Sequence, residues 1–156
     1  MSNVESAKLF FGLVLTKLQD SFPAAVFLSA KDIWPDFERV AKGGELSVKT
    51  QERSYRTVPI SEITENQALQ EHYTKLMLRW MAAEGYLVKD PTSNFPYDYV
   101  LSSKALAALN IAIEKDKKTV GEVLANAFRK VGDATQGELI ARLVERIFEY
   151  FPRYLT

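Results

Sequence analysis

The chain has 156 residues, with 20 basic and 20 acidic side chains and a formal net charge of zero. That length suits one domain with a small appendage, and zero net charge excludes a globally basic nucleic-acid binder. With no cysteine, disulfides and thiolate metal sites are excluded; this fits a reducing compartment, and a cytoplasmic protein is expected.

The first legible element is a helix over residues 5–20. Leu9, Phe10, Leu13, Val14 and Leu18, with Phe11 and Leu15, leave few of its sides polar. A helix apolar nearly all round is covered on several sides, either by packing centrally or by sharing with a second subunit. The run "KLFFGLVL" has the apolarity of a signal peptide. It is short, however, Glu5 precedes it, and Lys17, Gln19 and Asp20 follow, so it reads as a buried helix. No stretch reaches the ~18 apolar residues of a membrane span, and no membrane partner is expected. Phe22 and Pro23 end the helix.

Residues 26–28 suit a short strand. Ser29 with Asp32 makes a capping pattern for a short helix from Ala30, which Pro35 ends or hands to the next turn. Residues 36–63 read as a polar loop or irregular hairpin, broken at Gly43 and Gly44. "ELSVKTQERSYRTVPI" holds strand-forming residues but alternates poorly.

Thr64 with Gln67 forms another capping pattern, for a long helix to about Glu84. On a helical wheel, Leu69, Tyr73, Leu76, Met77 and Trp80 fall within an arc of about 100°, and His72, Lys75 and Arg79 within about 60° at its edge. Gly85 suits the C-terminal cap. Residues 86–88 and 97–101 read as antiparallel strands joined by "KDPTSNFP", where Pro91 and Pro96 discourage pairing and Asn94 tolerates a turn. Ser102 or Ser103 caps a helix carrying Leu106, Leu109 and Ile113.

"EKDKK", residues 114–118, is the best candidate boundary between a unit over 1–113 and a helical extension over 114–156. Thr119 with Glu122 opens a helix to about Lys130, Gly132 and Asp133 break it, and Thr135 with Glu138 opens a last helix to about Phe151. Leu139, Ile140, Leu143, Val144, Ile147, Phe148 and Phe151 form its apolar stripe. Such a stripe has to be covered: by the rest of the chain, by a second copy in a homodimer, or by a membrane surface, the last disfavoured by a charged face of mixed sign.

Helix, short strand, short helix, long helix and two-stranded hairpin are the elements of a winged helix-turn-helix domain. "LRWMAAEGYLVKD" resembles the end of such a family's recognition helix running into the first wing strand. "YVLSSKALAAL" resembles the second wing strand running into the closing helix, with Ser102 for the usual Thr and Ala105 for the usual Gly. The resemblance covers about residues 5–113 and is specific over 76–109. Two departures stand out: residues 36–63 exceed the usual tight turn, and the tail from Thr119 lies outside the family core. The resemblance implies a mostly α, α+β fold in which the long helix enters the major groove and the wing reaches phosphate or minor groove.

DNA affinity needs cations facing phosphates. On the long helix these are Lys75 and Arg79, with His72 beside them and Glu71 one turn before Lys75. The proposed wing holds Lys89 but also Asp90 and Asp98, and residues 61–101 carry 3 basic and 6 acidic groups, a net of −3. A second basic source is Lys42, Lys49, Arg53 and Arg56 with Tyr55, diluted by Glu45 and Glu52. His72 is the only histidine, so His-based metal clusters and His-dependent triads have no partner set. No Gly-rich phosphate loop is present, and no cofactor is expected. The expected function is therefore a non-catalytic winged-helix binding protein, first a DNA-binding transcriptional regulator and alternatively a module for protein–protein assembly. An enzyme is a third reading for which no constellation speaks.

Overall fold

The computed structural model describes residues 2–49, 54–94, 98–113, 117–130 and 135–150. Elements follow in the order α1 (Asn3–Ser21), β1 (Val26–Phe27), α2 (Ala30–Val40), β2 (Glu45–Lys49), β3 (Tyr55–Pro59), α3 (Ile60–Thr64) and α4 (Gln67–Ala83). After these come β4 (Leu87–Lys89), β5 (Asp98–Leu101), α5 (Ser103–Leu109), β6 (Ala112–Ile113), β7 (Lys118–Thr119), α6 (Val120–Arg129) and α7 (Thr135–Tyr150). The protein is thus mostly helical, with small antiparallel sheets.

α1 is the central post. Ser2 Oγ accepts from Glu5 N–H and Glu5 accepts from Ser2 N–H, a complete capping box. Residues 9–15 are all buried, because α2, α4, α6, α7, β2 and β5 pack around the helix. The all-round apolarity is therefore covered from within the chain. Gly12 sets the α7 approach: a Cβ there would sit 3.2 Å from the Ile140 and Val144 methyls. Phe10, Trp34, Phe37 and Tyr73 meet mostly edge to face, Phe10 lying 5.2 Å from Phe37 and 5.3 Å from Tyr73. This block seats α2 and α4 on the post.

The three-stranded sheet has the order β1-β5-β4, antiparallel throughout. β5 lies in the middle, with Val26 opposite Tyr99 and Leu87 opposite Leu101. Leu87, Tyr99 and Leu101 turn inward and are buried, as period-2 alternation requires of a half-buried sheet.

Several expectations change. β2 and β3 form a regular antiparallel pair with five paired positions, from Glu45 opposite Pro59 to Lys49 opposite Tyr55. Leu46, Val48 and Val58 fill its inner face and β2 lies along α1; Arg56, exposed opposite buried Val48, interrupts the alternation in β3. Pro35 lies inside α2 rather than ending it. It forfeits one backbone bond, but Ile33, Trp34, Phe37 and Val40 are all buried on that helix, which outweighs the loss.

The α4 cap is Asn66, whose side chain accepts from Leu69 N–H at 3.2 Å, not Thr64. Thr64 closes α3 instead: its hydroxyl donates to Ile60 C=O and accepts from Trp34 Nε1. α5 stops at Leu109, and Ile113 belongs to β6, paired with Lys118.

The caps expected at Ser29, Ser102 and Thr119 are made, each oxygen accepting a backbone N–H three residues on. The boundary at 114–118 is spanned by the small β6–β7 pair, and α6 and α7 pack against α1.

Candidate nucleic-acid interface

α4 is held at both ends. At its start Gln70 Nε2 donates to Ile63 C=O and Thr64 C=O at 3.1 and 2.9 Å, tying the helix to α3. At its end Gly85 takes φ +84°, a conformation that favours glycine. Ser102 Oγ donates to Gly85 C=O, and Lys104 Nζ donates to Glu84 C=O at 2.7 Å. Lys104 also lies 4.4 Å from the Tyr86 ring centre. It caps the helix C-terminus, where a cation opposes the negative end of the dipole. Nothing in the local pattern marks Lys104 for this role, because the contact spans 20 residues.

The buried side of α4 carries Tyr73, Thr74, Leu78 and Met81. Leu76 and Trp80, expected to face the core, are 38% and 43% exposed. Thr74 is inside because its hydroxyl donates to Gln70 C=O at 2.8 Å, so burial leaves it satisfied. Lys75 and Arg79 lie on the exposed side with Glu71, and His72 is half-buried. His72 Nε2 is enclosed and has no hydrogen-bond partner among the described residues.

The second basic group is not gathered onto this face. Lys42 is exposed just past α2. Arg56 pairs with Glu62 at 3.3 Å. The β2–β3 hairpin packs chiefly on α1 and α3, not on α4. Arg53 lies outside the described residues, and of Lys49 only the backbone is described.

The β4–β5 hairpin begins three residues after the α4 C-cap, Glu84. Acidic groups, Asp90 and Asp98, stand at the two ends of its connection. Asp90 accepts from Thr92 N–H at 2.9 Å and from Thr92 hydroxyl at 2.7 Å, and these bonds hold its carboxyl below the usual carboxylate range. Ser93 hydroxyl donates to Asp98. A connection flanked by two carboxylates repels phosphate.

An apolar groove of about 280 Å³ runs between α1, α4 and α7, lined by Val4, Ala7, Phe11, Met77, Trp80 and Phe148 with Asn3 and Lys8. Phe148 lies 4.9 Å from Phe11 and 6.0 Å from Trp80, ring centre to ring centre. Lys8 at the edge pairs with Glu145 at 2.6 Å.

The stripe proposed for a second subunit is largely used inside the chain. Ile140, Leu143, Val144 and Ile147 are buried, Phe148 is partly buried, and Leu139 is 37% exposed; Phe151 lies outside the described residues. α1 and α6 cover the stripe because Gly12 lets α7 come close.

Among the described residues no group of three or more His, Cys, Asp or Glu is placed to hold a metal ion, and no helix is long and apolar enough to cross a membrane. No protein-family model, curated protein or solved structure matches the chain.

Proposed function

We propose that this chain is a non-catalytic binding protein on a winged-helix scaffold, a transcriptional regulator that contacts duplex DNA through the outward side of α4. The observation that carries the reading is the placement of Lys75 and Arg79, both exposed and four residues apart, with His72 half-buried beside them. The two cations form one stripe along a helix that is braced at both ends and leads directly into an antiparallel hairpin. The sheet order β1-β5-β4, with the hairpin's second strand in the middle, supports the same scaffold. On this reading α4 makes the grip and the acidic β4–β5 connection stays off the phosphates, so affinity is modest and salt-sensitive. Titration of a labelled duplex at several salt concentrations tests it: saturable binding that weakens with salt is expected, and absent or salt-insensitive binding overturns it.

A second reading, assembly with another protein, is favoured by a different observation. Trp80 is 43% exposed and Val4 60% exposed at the edge of an aromatic-lined groove, and tryptophan is enriched among residues that dominate interface energies. With a second copy as partner, sedimentation should show concentration-dependent association that Trp80→Glu abolishes. A wild-type monomer at every concentration removes self-assembly.

A further inference from the structure

We draw no further inference here: the strongest candidate, the apolar groove between α1, α4 and α7 ringed by Phe11, Trp80 and Phe148, belongs to the second reading above, and nothing in the structure shows what covers it.

Discussion

Replacing Lys75 and Arg79 with alanine tests the α4 interface at the level of charge. Both side chains are exposed on the outward side of a helix whose buried side is made by other residues. Their removal leaves the buried side of the helix unchanged, and a urea unfolding curve for each variant separates folding from binding. Each phosphate neutralised adds about 0.9 to the slope of log affinity against log salt. Two cations on α4 give a slope of about −1.8 per bound chain. Raising salt from about 50 to about 200 mM then weakens wild-type binding roughly 12-fold. Either single alanine variant halves the slope, leaving a loss of about 3.5-fold over the same range, and the double variant flattens it.

Fluorescence anisotropy of a labelled duplex, with salt as the variable, measures all of these. Arg56→Ala is the internal control, because Arg56 pairs with Glu62 on a hairpin that packs elsewhere. Its slope should match wild type. A double variant that keeps the wild-type slope while Arg56→Ala loses it would refute the assignment of the contact to α4. A wild-type slope of zero would refute phosphate contact altogether.

Three further outcomes follow from the packing. Leu143→Ala opens a cavity under α7, where Leu143 is buried within the chain. It should cost about 2–5 kcal/mol in urea unfolding without changing the sedimentation coefficient; dissociation of a wild-type dimer would contradict the intrachain packing. Asn66→Ala removes the acceptor for Leu69 N–H and should cost about 0.5–2 kcal/mol, whereas no measurable loss would return the capping role to another residue. Tyr73→Phe tests an alkaline dependence. Burial pushes the Tyr73 phenol above its ordinary value, so the folded state keeps its proton where the unfolded chain, with a pKa of about 10, loses it. That stability is complete below about pH 10 and is lost as pH rises beyond it; Tyr73→Phe should flatten this fall. Tyr86, raised by burial and by Glu84, keeps a smaller one. The Tyr73 hydroxyl has no partner among the described residues, so at neutral pH the variant should be no less stable than wild type.

The elements most legible in the sequence were those whose signals are local. Ser29, Ser102 and Thr119 sit three residues before the backbone donors they accept from; such a cap depends on little beyond its own turn. Gly85 was legible for the same reason, since a helix handing over to a strand needs a backbone turn that glycine supplies. The β2–β3 hairpin was not. Its inward residues Leu46 and Val48 alternate, but β3 places Arg56 opposite Val48 and leaves Val58 as its one buried residue, so the second strand carries little apolar pattern. Lys104 was missed because its partner, the Glu84 carbonyl, comes from the far side of the β4–β5 hairpin. The buried side of α7 was legible as a stripe, but the sequence could not choose what covers it. The choice was made by Gly12, a residue without side chain on another helix.

The phase of α4 is the most consequential difference. Hydrophobic counting centred the buried side near Tyr73 and Trp80; the residues actually buried are centred about 100° away around the helix. The rotation is visible at each edge. Thr74 enters the interior by returning its hydroxyl to Gln70, while Leu76 and Trp80 are left half outside, with Trp80 beside Phe11 and Phe148 in an incompletely filled groove. The same rotation moves Lys75 and Arg79 from the edge of the apolar arc to roughly opposite the buried side, while His72 stays half-buried. A single displacement thus produces both functional readings. It turns the basic stripe toward solvent, as a phosphate contact requires, and it leaves an exposed tryptophan one position along from Arg79. Salt dependence and Trp80→Glu therefore examine neighbouring residues on one helix by independent physics, charge in the first case and apolar burial in the second.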